Sequence, residues 1–179
     1  MKNPSKVHIY VDGSCKENRN VTAETSAGWG FCVIEGDGSS GNGKGNVLTE
    51  LSGKVVTNSE EDGFLGAEVG SNNTAELSAI ANALRWLLAE GSIEECIIRG
   101  DSNYALNIAS GLWKAKANLE LARRVGLLWV EVASITGLAG EHVPAHRGHR
   151  WNERADHLAF RAMQGEPPLP LQFWKPGRR

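Results

Sequence analysis

Apolar and polar residues alternate with the period of a β-strand along the first third of the chain. Residues 6–14 begin this pattern, with apolar side chains at every second position. Residues 27–35 and 46–56 repeat it, and a glycine-rich turn at 36–45 separates them. These segments predict three antiparallel strands. The acidic segment 57–71 follows without either period and predicts a loop.

The pattern then changes to a helical period. Apolar residues recur every three to four positions from Ala75 to a natural stop at Gly91, which predicts a helix. An apolar run that ends before Asp101 predicts a fourth strand, and residues 137–146 predict a fifth. Two more helices are predicted between these strands. Residues 150–165 predict an amphipathic last helix.

This order of elements predicts an α/β fold, in which helices flank a five-stranded mixed sheet whose first three strands are antiparallel. We expect one domain over residues 1–163, because no linker or internal repeat divides this range. Residues 164–179 are proline-rich and basic. We expect them to form an extended or disordered C-terminal tail.

Composition restricts the class of protein. The chain has 179 residues, of which 41% are hydrophobic and 22% charged, as in an ordinary globular domain. It has no apolar run of about 20 residues, the length needed to cross a bilayer, and no apolar signal segment at its N-terminus. Three cysteines without metal-like spacing indicate reduced thiols, so we expect a cytoplasmic protein. The net charge of −2 does not by itself indicate nucleic-acid binding, although basic residues outnumber acidic ones over 136–179.

Four carboxylates stand at the ends of predicted elements. Asp12 ends the first strand and Asp101 follows the fourth, whereas Glu76 lies in the first turn of a helix and Asp156 in the second turn of the last helix. Strand ends and helix starts along one edge of an α/β sheet build its functional site. Converging carboxylates repel one another unless a cation joins them, and Mg²⁺ is the usual cation. Two such ions about 4 Å apart form the arrangement that cuts phosphodiesters. The four positions together therefore predict a metal centre.

Each carboxylate also has a structural interpretation. Asp12 could start a turn with the glycine after it, and Asp101 could be the N-cap of the next helix. Glu76, with an asparagine three residues before it, resembles the end of a capping box. Asp156 could pair with a nearby arginine on an exposed face. Only the joint placement of the four favours the metal centre.

Four motifs in this order resemble those of type 1 ribonuclease H. They are VDGSC at a strand end, NNTAEL opening a helix, GDSNYAL after an apolar strand and HVPAHRGHRWNERADHLA near the C-terminus. The resemblance covers residues 6–163. It implies the ribonuclease H fold and an endonuclease that hydrolyses the RNA strand of RNA–DNA hybrids with two Mg²⁺ ions, leaving 3′-hydroxyl and 5′-phosphate ends. Mn²⁺ is the expected substitute ion, and we expect a monomer whose partner is the hybrid.

The resemblance also implies roles for five residues. Asp12 would bridge both ions, and Asp156 would share with it the ion that activates the attacking water. Glu76 and Asp101 would hold the second ion, and Glu76 would also contact an RNA 2′-hydroxyl. His146, in the loop before the last helix, would assist proton transfer and product release.

A hybrid-binding surface is implied in the same way. One loop would lie along the minor groove, an asparagine pair would sense the shape of the hybrid, and a pocket would hold a DNA phosphate. The positions that match are Gly13, Ser14, Cys15, Asn18, Ser71, Asn72, Asn73, Ser102, Asn103, Trp113 and Asn118. Turn formation and helix capping are the alternative interpretations of these polar residues.

The chain departs from the family pattern in one region. Many members carry a basic helical extension, the handle, where this chain has only KAKA between Trp113 and Asn118. Because phosphate contacts dominate affinity for nucleic acid, the handle-less form predicts weaker hybrid binding with a flatter salt dependence. Candidates to replace the handle in part are Lys114, Lys116, Arg123 and Arg124.

Three other functions fit part of the pattern. They are a catalytically silent hybrid-binding module, a ribonuclease H domain derived from a reverse transcriptase, and a metal-dependent nuclease for another nucleic acid. The complete set of carboxylates argues against the first. The hybrid-recognition motifs argue against the third.

Overall fold

The computed structural model describes residues 5–38, 40–145 and 147–179. The strands in these ranges are β1 (Lys6–Cys15), β2 (Ala27–Glu35), β3 (Asn46–Lys54), β4 (Glu95–Gly100) and β5 (Gly137–His142). The helices are α1 (Asn72–Glu90), α2 (Asn103–Ala109), α3 (Leu119–Ala133) and α4 (Arg150–Gln164). This is the predicted order. Two differences are that β5 ends at His142 and that α1 begins at Asn72 rather than at Ala75.

The five strands form one sheet with the order β3-β2-β1-β4-β5. β1 pairs antiparallel with β2, and β2 pairs antiparallel with β3. β4 is parallel to both β1 and β5. The predicted fold class is therefore confirmed. The parallel pairing of β1 with β4 also places the carboxyl ends of these two strands at the same edge of the sheet.

Helices cover both faces of the sheet. α1 and α3 pack on the face that contains Ile9, whereas α4 packs on the face that contains Tyr10 and buries Leu158 there. A Cβ atom at Gly28 of β2 would lie only 2.4 Å from the carbonyl oxygen of Ala159. Because glycine has no side chain, α4 can approach the middle of the sheet closely. Because Gly28 pairs with Ser14 near the end of β1, this approach brings the second half of α4 to the edge where β1 ends.

The segment after α4 packs against that helix. Residues 166–179 contain neither helix nor strand, yet Trp174 is only 4% exposed. The guanidinium of Arg154 lies 5.2 Å from the centre of the Trp174 ring. The Leu169 N–H donates to Nε2 of His157 over 2.9 Å. Burial of this large aromatic ring and these contacts hold the irregular segment against α4.

Three smaller sequence predictions can be compared with the structure. Residues 57–71 contain no helix or strand, in agreement with the predicted loop. The three cysteines are free thiols, with Cys32 and Cys96 buried and Cys15 partly buried. Within the described ranges, none of the helices has the length and apolar character needed to cross a membrane.

Candidate active site

Three carboxylates from three different elements meet at the edge of the sheet. Asp12 lies near the end of β1, Glu76 in the first turns of α1, and Asp101 directly after β4. One oxygen atom from each residue lies within 4.8 Å of the corresponding atoms of the other two. Asp12 is 4% exposed and Glu76 is 8% exposed, whereas Asp101 is partly exposed. The group therefore has a buried side and a side that faces solvent.

A glycine brings two of these carboxylates together. A Cβ atom at Gly13 would lie 2.5 Å from the backbone nitrogen of Glu76 and 2.6 Å from the carbonyl carbon of Ala75. Only a residue without a side chain lets β1 pass so close to α1. The Gly13 N–H also donates to Oδ1 of Asp12 over 2.8 Å and so orients that carboxylate. Gly13 is thus the residue that sets the spacing of the group.

The structural interpretations of Asp12 and Asp101 do not hold. β1 continues through Asp12 to Cys15, so Asp12 starts no turn. The N-cap of α2 is Ser102, whose hydroxyl accepts the N–H of Ala105 over 3.0 Å. Neither carboxylate is therefore placed by the local need of a turn or a helix end.

The same is true of Glu76. The capping box of α1 consists of Ser71 and Thr74, whose side chains accept each other's backbone N–H groups over 3.1 Å and 2.9 Å. Glu76 lies beyond this box, inside the helix, and is buried toward the other two carboxylates. Burial of this carboxylate costs free energy of solvation, and the residue contributes nothing to the helix cap.

Burial and repulsion raise the pKa values of the two most buried carboxylates. Burial raises the pKa of Asp12 well above its usual value, and the charges of Asp101 and Asp156 raise it further. Burial likewise raises the pKa of Glu76, with the charge of Asp12 as the next cause. In the metal-free protein the two groups therefore hold protons more tightly than exposed carboxylates do.

The group fits a hard divalent cation. Its donors are all carboxylate oxygens, which are the ligands that Mg²⁺ and Mn²⁺ prefer. Oε2 of Glu76 is buried and has no hydrogen-bond partner among the described residues. A cation would satisfy this oxygen and remove the repulsion that raises both pKa values. The residues present therefore fit the metal that the sequence predicts.

The fourth predicted carboxylate is placed differently. Asp156 lies in the second turn of α4, is 8% exposed and faces the same cavity, but in the described part of the chain it is not a member of the three-carboxylate group. Its oxygens accept hydrogen bonds from Arg179. The nearby arginine considered from the sequence, Arg154, instead binds Glu50 on β3.

The predicted catalytic histidine cannot be located. His146 lies outside the described residues, which resume at Arg147. The loop reaches the site nonetheless, because Ala145 lines the same cavity as the carboxylates.

Some of the predicted binding residues line the active-site cavity, which has a volume of about 710 Å³. Its lining includes the predicted binding residues Gly13, Ser14, Cys15, Asn72, Asn73 and Ser102. Asn18 is close by, because its Oδ1 accepts the N–H of Asn72 over 3.3 Å and lies 3.7 Å from Sγ of Cys15. The loop after β1 and the start of α1 therefore form one continuous rim.

The other predicted binding residues lie further from the carboxylates. Trp113 is 51% exposed and lines a neighbouring groove that also contains Asn73 and Tyr104. Asn118 precedes α3 in the left-handed conformation, and within the described residues its side chain makes no capping hydrogen bond. Ser71 caps α1, as its structural interpretation suggested, and Asn103 is an exposed first residue of α2.

Three charged or aromatic residues at the cavity were missed in the sequence. Lys16 follows the predicted strand end, Phe160 lies one helical turn after Asp156, and Arg179 comes from the segment after α4. Periodicity offers a signal only for Phe160, which shares a helix face with Asp156. Arg179 reaches the cavity through the packing of an irregular segment, which no local pattern encodes.

Comparison with known proteins agrees with this geometry. The family model for ribonuclease H matches residues 4–164. A ribonuclease H of Anaplasma marginale is 31% identical over 176 residues, covering 93% of this chain and 96% of that protein. The N-terminal ribonuclease H domain of a Mycobacterium tuberculosis protein, solved as a fusion with maltose-binding protein, is 28% identical with a TM-score of 0.64, covering 90% of this chain and 96% of that one.

A further neighbour shows the fold in a complex. LC11 ribonuclease H1, isolated from compost, is 24% identical with a TM-score of 0.63 over 89% of this chain and 97% of that one, and it was solved with a bound RNA/DNA hybrid. The three carboxylates form a group that could hold a divalent metal ion. With the family match over most of its length, this chain belongs to the ribonuclease H family, whose members are endoribonucleases.

Proposed function

We propose that this protein hydrolyses the RNA strand of RNA–DNA hybrids with two divalent metal ions and leaves 3′-hydroxyl and 5′-phosphate ends. The observation that carries this proposal is the group of Asp12, Glu76 and Asp101, with oxygen atoms within 4.8 Å of one another. Membership of the ribonuclease H family supports the reaction. The hybrid bound to LC11 ribonuclease H1 supports the substrate.

The carboxylates would divide the metal ions between them. Glu76 and Asp101 would hold one ion on the side of α1 and β4. Asp156 would hold the other on the side of α4, and Asp12 would contact both, the role that the resemblance to type 1 ribonuclease H implies. Bound Mg²⁺ lowers the pKa of a coordinated water and stabilises negative charge on the reacting phosphate. Mg²⁺ is the proposed ion and Mn²⁺ its substitute.

The protein itself would position the substrate. Gly13, Ser14 and Cys15 expose the end of β1 to the cavity, and Asn72 and Asn73 expose the start of α1. If the minor groove of a hybrid lay along this rim, RNA 2′-hydroxyls would lie near Glu76, which α1 places beside the end of β1. His146, whose loop borders the cavity at Ala145, would act as the proton-transfer residue.

Hybrid binding would be weak without the handle. Trp113, Lys114 and Lys116 border one groove, and they would contact the DNA strand by stacking and by charge. The cytoplasmic location expected from the sequence agrees with the three free thiols. A monomer remains the proposed state.

Cleavage of a labelled hybrid tests the proposal. A 5′-labelled RNA annealed to DNA is incubated with Mg²⁺, and duplex RNA, duplex DNA and single-stranded RNA are run in parallel. We expect internal cuts only in the hybrid, with products that carry 3′-hydroxyl ends and with no cleavage in EDTA. Asp12→Asn should be inactive, whereas Asp62→Asn makes the same chemical change in an exposed loop and should be fully active.

Two outcomes would overturn the proposal. Hybrid binding without cleavage in Mg²⁺ or Mn²⁺ would leave the silent binding module. Equal cleavage of single-stranded RNA or duplex DNA would mean a nuclease for another substrate.

A further inference from the structure

An arginine from the segment after α4 occupies both oxygens of the fourth carboxylate. Nε and Nη2 of Arg179 donate to Oδ2 and Oδ1 of Asp156 over 3.0 Å and 2.8 Å. This parallel two-bond arrangement is the strongest geometry available between an arginine and a carboxylate. The Asp156 side chain is 11% exposed and the Arg179 side chain 49%, so the pair is shielded on the carboxylate side only.

The packing of the segment holds Arg179 at this place. Its guanidinium lies 4.6 Å from the centre of the Phe160 ring, which is one turn beyond Asp156 on α4. The carbonyl oxygen of the preceding residue, Arg178, accepts the indole N–H of Trp174 over 2.9 Å. Trp174 is itself buried, so the backbone just before Arg179 is anchored to the body of the protein.

A histidine of α4 completes the anchor. Nε2 of His157 accepts the N–H of Leu169, so the ring proton lies on Nδ1 in the neutral ring. Nδ1 then donates to the carbonyl oxygen of Arg178 over 3.2 Å. His157, which follows Asp156 on α4, therefore binds the backbone of Arg178, which precedes Arg179. This contact holds Asp156 and Arg179 close together at the cavity.

Arg179 and a metal ion need the same oxygens. A carboxylate that binds a divalent ion offers it one or both oxygens, and both oxygens of Asp156 are already engaged by the guanidinium. Arginine keeps its charge at all ordinary pH values, so the guanidinium remains a cation that can compete with the metal ion. Because the Arg179 side chain is half exposed, the guanidinium can leave into solvent when a stronger cation arrives.

We propose that Arg179 competes with the divalent ion for Asp156 and thereby sets the metal concentration at which the fourth carboxylate becomes available. This inference rests on the proposed function, since it assumes that Asp156 is a metal ligand. Arg179 donates its hydrogen bonds to Asp156, and the charge of Asp12 acts on the guanidinium more weakly. The segment after α4 therefore acts mainly on the Asp156 half of the metal centre.

Binding of Mn²⁺ without substrate tests the competition directly. Free Mn²⁺ is measured by electron paramagnetic resonance during titration of the metal-free protein, which requires no nuclease activity. Arg179→Ala should strengthen binding of the weaker class of ion by roughly two- to fivefold, the range for loss of a partly exposed ion pair. Arg179→Lys, which keeps the charge but loses the two-bond geometry, should give a smaller gain.

A matched variant separates competition for Asp156 from the general effect of removing one positive charge near the site. Arg178→Ala removes the same charge at the neighbouring position, where the side chain is exposed, and should change Mn²⁺ affinity less than twofold. In a double-mutant cycle, Arg179→Ala should have no effect when Asp156 is already Asn. These two controls together isolate the contact between Arg179 and Asp156.

Several outcomes would overturn the inference. They are unchanged or weaker Mn²⁺ binding in Arg179→Ala, an equal gain in Arg178→Ala, and a gain that persists in the Asp156→Asn background. The proposed function is judged separately by hybrid cleavage. A protein that shows the expected Mn²⁺ effect but cuts no hybrid would lose the proposed function and keep the competition.

Discussion

The two halves of the acidic site face one cavity but balance their charges in different ways. On the side of β1, β4 and α1, three carboxylates converge on one point, and burial together with mutual repulsion raises the pKa values of Asp12 and Glu76. On the side of α4, Asp156 stands apart and is neutralised by Arg179. In the first half, the buried Oε2 of Glu76 has no hydrogen-bond partner among the described residues, whereas in the second half both oxygens of Asp156 are bound by a cation from the protein. Charge balance, and not the mere presence of acids, distinguishes the roles of the two halves.

The largest effect expected from this difference is on the rate of cleavage. Asp101→Asn and Glu76→Gln remove a charge from the converging group, and each should lower the rate of hybrid cleavage at least about 10³-fold, which corresponds to several kcal/mol of lost stabilisation of the transition state. Asp156→Asn should cost less, about 10- to 100-fold, because it leaves the three converging carboxylates intact. Single-turnover rates at saturating Mg²⁺ measure both. If all three variants lost the same factor in cleavage rate, the two halves of the site would not differ in their roles.

The close approach of β1 to α1 is the next feature to disrupt. Gly13→Ala would force a methyl group against the backbone of Glu76, so we expect it to lower the free energy of unfolding by about 1–3 kcal/mol and to weaken metal binding. The matched control is Gly126→Ala in the middle of α3, where an added Cβ has no atom within 4 Å. That change should stabilise the protein by about 0.5–1 kcal/mol. Urea unfolding of both variants measures these changes in the free energy of unfolding. If Gly13→Ala left that free energy unchanged, the close approach of β1 to α1 would not determine the spacing of the carboxylates.

Removal of metal should make stability depend on pH in a defined direction. The pKa values of Asp12 and Glu76 are raised in the folded protein, so the folded state holds protons more tightly than the unfolded chain does. In EDTA, the free energy of unfolding should therefore fall as the pH rises from about 4 through these raised values. Asp12→Asn should weaken this dependence and stabilise the metal-free protein at pH 7.5, on the order of 1–3 kcal/mol.

Urea unfolding in EDTA at pH 5 and pH 7.5 measures the effect. Asp62→Asn, which changes an exposed acid, serves as the control and should behave as the wild-type protein does. If Asp12→Asn were less stable than wild type at pH 7.5 without metal, the repulsion attributed to the carboxylate group would be wrong.

The smallest expected effect is the stabilisation by metal itself. At a Mg²⁺ concentration ten times its dissociation constant, binding should add about 1.4 kcal/mol to the free energy of unfolding. Asp101→Asn should lose most of this gain, whereas Asp156→Asn should keep most of it, because only Asp101 belongs to the converging group. Thermal unfolding with and without Mg²⁺ compares the two variants. A reversed order would place the main metal site on α4.

The sequence predicts the sheet and the three converging carboxylates for related physical reasons. Alternation and helical period define the strands and helices, and parallel pairing of β1 with β4 then brings Asp12 and Asp101 to one edge. Glu76 joins them because glycine at position 13 allows a close approach. These relations depend on local patterns and on the general rules of α/β sheets.

The segment after α4 could not be predicted in the same way. Its path depends on contacts of Trp174 and His157 with distant residues, and a proline-rich composition carries no period from which such contacts follow. The aromatic residue in the segment was the available sign of packing. Because Arg179 reaches Asp156 only through this path, the pairing of the fourth carboxylate was also missed.

The most direct test of the metal centre is the position of Mn²⁺ in crystals grown with the ion, located by its anomalous scattering. We expect a peak bound by carboxylate oxygens of Asp12, Glu76 and Asp101 at about 2.0–2.3 Å, within the range for oxygen-ligated divalent ions. A well-ordered Mn²⁺ bound elsewhere, with these three carboxylates left without metal at saturating Mn²⁺, would contradict the assignment of the site.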